Sequence, residues 1–267
     1  QEIIQRFGRS AAICKKAGFS GVEIHCAHGY LLNQFLSPHH NQRSDEWGGT
    51  AEKRRRFVLA VYAEVRKQVG ADFPVGIKIN SADFQRGGFD SADALATLKL
   101  LNELPVDLLE LSGGSYESPA MQGRTADGRT LAREAYFLEF TSQLAKEARM
   151  PLMTTGGIRR RAVAEQVIAQ GVGIAGMATA LTIVPDLPAR WRAGEDTEAN
   201  LPPVNWSDKT LSALATMSVI KRQLRRLGAR RNSKPNASPL LSLILDRLRI
   251  KRLTGRYRQW LGNNQAQ

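Results

Sequence analysis

The chain has 267 residues, with 38 Lys and Arg against 25 Asp and Glu for a formal charge of +13, long enough for one substantial core or for a domain with an appendage. No run approaches the roughly eighteen consecutive apolar residues of a membrane-spanning helix, no secretory signal pattern opens the chain, and Cys14 and Cys26 do not make a disulfide framework. Residues 208–267 hold fourteen Lys or Arg against Asp208 and Asp246, a balance of +12 that leaves +1 for residues 1–207, so the charge is a property of one tail and not the footprint of a nucleic-acid-binding domain. The composition reads as soluble and cytoplasmic.

In chain order, helical spacing predicts helices over residues 2–18, 51–69, 91–103, 131–149 and 160–170, with Gly18, Gly70 and Gly171 just past three of their ends as stops. Short apolar runs predict strands at residues 21–26, 74–80, 107–112, 151–155 and 172–177. The alternation is a βαβ rhythm, for which parallel strands with right-handed crossovers are the expected assembly. After Gly194 the pattern changes to an acidic and Asn-containing stretch, a Pro-Pro turn, and two basic helical stretches at about residues 209–227 and 238–260 joined by a polar linker. The chain therefore divides into residues 1–195 and a basic helical extension, 196–267. In the second stretch Leu240, Leu241, Leu243, Ile244, Leu245, Leu248, Ile250 and Leu253 leave an apolar face among basic residues. That face either packs on the rest of the chain or a partner, or attaches to an anionic membrane surface.

The first strand runs directly into His25, His28 and Tyr30, which places them where a strand gives way to a loop, the catalytic end in a barrel of alternating strands and helices. Two imidazoles three residues apart can both donate to one ligand oxygen, and a phenol nearby can supply a proton. Gly29 leaves room for a ligand to approach. Two other readings stay open on these residues alone: a zinc site drawing also on His39, His40, Asp45 and Glu46, or polar groups satisfied at a strand end. Cys26 follows His25 directly, and strand alternation turns it to the opposite face, toward packing and away from the site.

Residues 33–49, NQFLSPHHNQRSDEWGG, together with the preceding EIHCAHGYLL, resemble the old yellow enzyme family of FMN-dependent oxidoreductases. The resemblance continues through PVGIKINSADFQRGGF at residues 74–89, VDLLELSGGSYESPAM at 106–121 and PLMTTGGIRRR at 151–161, covering residues 1–195 in order. It implies an α/β fold of the (β/α)8 TIM-barrel type. It also implies that the histidine pair follows the fourth barrel strand, so that the five predicted strands correspond to strands four to eight. The chain starts at Gln1 without an initiator methionine, and the expectation is either that it is a fragment or that something else, such as a second copy, closes the sheet.

By the same resemblance the cofactor is FMN, reduced by NADH or NADPH, and the substrate is a small molecule with an activated C=C bond beside a carbonyl. His25 and His28 would hold the substrate oxygen and Tyr30 would protonate its α-carbon. Lys78 would be the cation at the flavin's pyrimidine edge, unless it is a strand-end lysine reaching solvent. Gly156 and Gly157 would form the phosphate turn. After the last strand the family carries Gly or Ala and then an Arg that clamps the phosphate, whereas this chain has Ala178 and Thr179. A threonine supplies a hydrogen bond but no charge there. That departure keeps a second expectation open, a non-catalytic half-barrel that acts only through association.

Overall fold

The computed structural model describes residues 1–115, 134, 135 and 137–265, with the last two of these described by backbone alone. Five parallel strands, β1 (Val22–Cys26), β2 (Val75–Asn80), β3 (Leu108–Ser112), β4 (Leu152–Thr154) and β5 (Ile174–Ala175), form one sheet in sequential order. The order and direction agree with the βαβ reading, and among the described residues β1 and β5 are the sheet edges.

Each crossover carries a helix because the intervening sequence can bury one stripe. Between β1 and β2 lie the short α2 (Leu31–Leu36) and the long α3 (Ala51–Val69); α1 (Glu2–Lys16) precedes β1, α4 (Ser91–Leu101) joins β2 to β3, α5 (Leu138–Ala145) precedes β4 and α6 (Arg161–Ala169) precedes β5. In α3 the residues Phe57, Val58, Val61, Tyr62, Val65 and Val69 recur on one face and are all buried. Thr50 caps its start by accepting from the Lys53 N–H, and Gly70, at φ +80° and ψ 177°, ends it in a region essentially reserved for glycine, where another residue would cost about 1–3 kcal/mol. Arg66 then donates to the carbonyls of Gly70, Ala71 and Phe73, and its guanidinium pairs with Asp107 at 2.6 Å. The loop that follows the helix is thereby tied to the start of β3.

The sheet sorts its residues by period two. Ile24, Cys26, Val75, Ile77, Ile79, Leu109, Leu111 and Leu152 turn to one side and join the helices in the core. Cys26 is fully buried there, consistent with a packing role, and burial pushes its thiol pKa up. The opposite side carries Glu23, His25, Lys78, Asn80, Glu110 and Ser112.

The helix expected over 131–149 starts later. Residues 131–133 and 136 lie outside the described residues, as do 116–121 of the segment at 106–121. Ala135 has φ +53°, outside the helical region, and its N–H donates to the Gly156 carbonyl at 2.7 Å, so the chain here is tied to the loop after β4 and α5 begins only at Leu138. β5 is likewise shorter than the run at 172–177 suggests. The short helices α2, α7 (Thr179–Ile183) and α8 (Leu187–Arg192) have too few turns to show a period and went unread.

The chain divides into two compact units, residues 1–158 with 162–177, and residues 159–161 with 178–267. The first holds the sheet. The second contains α7, α8, α9 (Lys209–Gly228) and α10 (Pro239–Gln265). Within it α9 and α10 pack together, and buried Asp246 of α10 pairs with Lys221 at 3.3 Å and Arg225 at 2.8 Å of α9. Gln223, fully buried, accepts the Lys234 N–H at 2.6 Å and fixes the linker between them.

Candidate active site

The site grows from a single row across the sheet. His25 of β1 stands in register with Lys78 of β2, and Lys78 with Glu110 of β3. The Lys78 ammonium reaches the Glu110 carboxylate at 2.6 Å, and Glu110 is only 4% exposed. Lys78 is therefore not a strand-end lysine pointing into water. Glu23, two residues before His25 on the same face, is close enough to Glu110 for the two carboxyl groups to interact. Much of the Glu23 surface remains open to solvent, yet its carboxyl is pushed up to about 7, by desolvation first and then by its interaction with Glu110, with Lys78 opposing.

Beyond β1 the chain turns sharply. His28 has φ +63° and Gly29 φ +76°; the first is strained for a residue with a side chain and the second is natural for glycine. A buried polar network fixes this turn. The His28 N–H donates to Asn80 Oδ1 at 3.2 Å and the Gly29 N–H to Asn33 Oδ1 at 2.6 Å. Asn33 Nδ2 and Asn80 Nδ2 in turn donate to Asp83 Oδ1 at 3.1 and 2.7 Å, and Asp83 Oδ2 accepts the Phe89 N–H. Asn33, Asn80 and Asp83 are almost completely buried, so each of these bonds replaces water that the groups cannot reach.

The turn brings the three residues singled out from the sequence together. The His25 ring lies 5.0 Å from that of His28 and 5.0 Å from that of Tyr30. His28 Nε2 is 2.7 Å from Ser112 Oγ at the end of β3. His25 Nδ1 is buried and has no hydrogen-bond partner among the described residues. Tyr30 is 45% exposed at the start of α2. Desolvation, followed by the charge of Lys78 and then His25, pulls His28 down to about 3. His25 is also lowered, by desolvation and Lys78 against the opposing charge of Glu110. Both imidazoles are thus neutral at pH 7, each with one N–H to give and one nitrogen to accept.

A second feature lies at the same end of the sheet. After β4 the backbone passes through Gly156 at φ +127° and Gly157 at φ +72°, conformations open to glycine. A Cβ at Gly176, just after β5, would fall 2.4 Å from Thr155 Cγ2, so this neighbour admits no side chain. Ala178 and Thr179 belong to the second compact unit, where they start α7. His39 and His40 stack edge to face 4.9 Å apart, Asp45 is held by Arg43, and among the described residues no group of three His, Cys, Asp or Glu converges as a metal site would require.

Sequence reasoning missed Glu23, Asn33, Asn80, Asp83, Glu110 and Ser112. The signal for two of them was available. Glu23 and Glu110 are charged residues inside apolar strands, and strand alternation puts both on the face that carries Lys78 and His25.

A family model described as the NADH:flavin oxidoreductase / NADH oxidase family matches residues 1–198. The chain belongs to this family, which includes the old yellow enzymes. Among curated relatives, the NADH-dependent flavin oxidoreductase iliE of Neonectria sp. (strain DH2) is 36% identical over 225 residues, 81% of this chain and 29% of that protein. The NADPH dehydrogenase of Bacillus subtilis (strain 168) is 36% identical over 171 residues, 64% of this chain and 47% of that protein. The chain thus spans less than half the length of either. Among solved structures, a 2-naphthoyl-CoA reductase in complex with 2-naphthoyl-CoA aligns with TM-score 0.65 and 29% identity, covering 73% of this chain and 29% of that one. Morphinone reductase in complex with tetrahydroNAD aligns with TM-score 0.58 and 25% identity, covering 74% and 50%.

Proposed function

We propose that this chain carries the substrate-polarising part of an FMN-dependent NAD(P)H oxidoreductase that reduces the activated C=C bond of α,β-unsaturated carbonyl compounds. The observation that carries the reading is the convergence of His25, His28 and Tyr30 with a buried, unpartnered Nδ1 on His25. A buried polar atom without a partner costs about 1–3 kcal/mol, and a ligand oxygen would remove that cost.

Bound FMN would supply the hydride for the β-carbon of the alkene. His25 and His28 hold the substrate oxygen as neutral donors and stabilise the negative charge that grows on it. A Ser112 hydroxyl donating to His28 Nε2 leaves the proton on Nδ1, available to that oxygen. Tyr30, adjacent to His25 and open to the approach side, delivers its phenolic proton to the α-carbon.

The residues present fit the flavin in two respects. Lys78 offers a cation on the face shared with His25, and Gly156, Gly157 and Gly176 leave a side-chain-free loop end with backbone N–H groups for an anion. Ala178 and Thr179 are the positions at which the family resemblance expects a phosphate contact, and there Thr179 offers a hydroxyl in place of a guanidinium. In this reading the five strands are the strand-four-to-eight arc of a (β/α)8 barrel, residues 1–195 form the flavin domain, residues 196–267 form an extension, and the protein works in the cytoplasm on a small molecule, alone or as a homo-oligomer.

The test is flavin absorbance of the purified chain reconstituted with FMN, followed by enone titration of the flavin spectrum. The double change His25→Ala with His28→Ala should abolish the enone-induced spectral change while FMN stays bound. Unchanged enone affinity would refute the clamp assignment, and a chain that takes up no FMN would favour the non-catalytic alternative.

A further inference from the structure

The C-terminal part of α10 belongs to the second compact unit. Every residue from 247 to 260 is exposed, so this stretch stands clear of its own unit. Such a helix is ordinarily polar on all sides. Here Ile250, Leu253, Tyr257 and Trp260, at 44 to 58% exposure, recur at i, i+3, i+7 and i+10, within an arc of about 80°. The Tyr257 and Trp260 rings stack 5.8 Å apart along that stripe. Arg247, Arg249, Lys251, Arg252, Arg256 and Arg258 lie around the rest of the circumference, with Leu248, Thr254, Gly255 and Gln259 among them.

Among the described residues no acid is seen to pair with these charges. Asp246 is the last Asp or Glu in the sequence, and it is buried and paired with Lys221 and Arg225 of α9. Arg247 with Lys251, and Arg252 with Arg256, are like-charged neighbours at i,i+4, which weakens a helix in water; Gly255 and Gly262 weaken it further. An opposing anionic surface removes the repulsion, and its acyl boundary accepts the apolar stripe. We propose that residues 247–261 of α10 are an interfacial helix that docks this chain on an anionic lipid bilayer, lying in the plane of the headgroups with Ile250, Leu253, Tyr257 and Trp260 inserted and the Lys and Arg residues in the phosphate layer. Tyr and Trp suit that depth because each has an apolar body and a polar edge. The length of α10 does not suggest crossing: among the described residues no helix is long and apolar enough to span a membrane.

The test is sedimentation of the full chain with vesicles of phosphatidylcholine alone and with about 30% phosphatidylserine added. The chain should pellet with the anionic vesicles, stay in solution with the neutral ones, and be largely released by about 0.5 M salt. Trp260 emission should shift to the blue on binding, and Trp260→Phe should remove the shift. Leu253→Glu should lower anionic-vesicle binding about tenfold or more. That substitution puts an acid at i+4 from Arg249 and i−3 from Arg256, which favours the helix, so loss of binding cannot come from unfolding. Absence of binding to either vesicle, equal binding to both, or binding indifferent to Leu253→Glu would overturn the proposal. Self-association lost in Leu253→Glu without any vesicle binding would overturn it and assign the stripe to a second copy. Preferential binding to a DNA duplex, insensitive to Leu253→Glu, would overturn it in favour of nucleic acid.

Discussion

His28 Nε2 and Ser112 Oγ stand 2.7 Å apart and join the loop after β1 to the end of β3. Because His28 is neutral at pH 7, a Ser112 hydroxyl that donates to Nε2, as proposed above, keeps the ring proton on Nδ1. Ser112→Ala should release that choice. The imidazole nitrogen shifts of His28 should report one tautomer in the parent and a mixture in the variant. Stability should fall by about 0.5–1.5 kcal/mol, the net value of one such hydrogen bond. A variant that keeps the parent's tautomer would assign that role to another group.

The pH dependence of stability should separate the two sides of the site. His28 is lowered from 6.5 to about 3 in the folded chain, so between those values the unfolded chain binds more protons and stability falls as pH falls. His25, also lowered, acts in the same sense. Glu23 is raised from 4.5 to about 7, so the folded chain binds more protons in that window and stability falls as pH rises. The Glu23 and His28 effects oppose each other between about 4.5 and 6.5. Glu23→Gln should therefore steepen the loss on acidification, and His28→Gln should soften it. Urea midpoints measured from pH 4 to 8 would show this; parallel curves for the two variants would mean that neither group titrates as described.

The ion pair of Lys78 with Glu110 should behave as a buried pair does when one partner is removed. Their side chains are 18% and 5% exposed. Lys78→Met leaves the Glu110 carboxylate beside Glu23 with no cation, and the cost should be about 3–5 kcal/mol above pH 7. Below pH 7 Glu23 takes up a proton and no longer repels Glu110, so the cost should shrink. Lys78→Met combined with Glu110→Leu should recover most of the loss, because no unpaired charge remains. Denaturant unfolding of the two single variants and the double variant completes the cycle. A double variant as unstable as Lys78→Met would show that packing, not charge, dominates.

The fold was largely legible because its elements repeat: the α3 stripe runs through more than three turns, and the strands are short apolar runs separated by helices of ordinary length. The cluster of His25, His28 and Tyr30 was legible because the three lie within six residues of one another. What the sequence hid was distance in the chain. Ser112 lies 84 residues from His28 and Asn80 lies 52 from it, and nothing local in a serine or an asparagine at a strand end declares such a partner. Ala135 shows the other limit: it sits at φ +53° with its N–H bonded to the Gly156 carbonyl, a tertiary contact that competes with local helical propensity.

The turn that carries His28 is anchored through Asn80 on Asp83. Asp83 is fully buried and gathers three donors, from Asn33, Asn80 and the Phe89 backbone. Asn33 and Asn80 in turn hold the Gly29 and His28 N–H groups. Asp83→Ala would strand these donors in the core, and hydrogen bonds to a charged acceptor are worth about 1.5–3 kcal/mol each, so the loss should reach about 3–5 kcal/mol. Asp83→Asn keeps one oxygen but no charge and should cost less. Local evidence should come from amide hydrogen exchange. His28 and Gly29 should exchange faster in Asp83→Asn by a larger factor than Arg149, whose N–H donates to Asn102 away from the site. Uniform acceleration at all three would mean that Asp83 stabilises the fold as a whole and does not specifically hold the turn that aims His28.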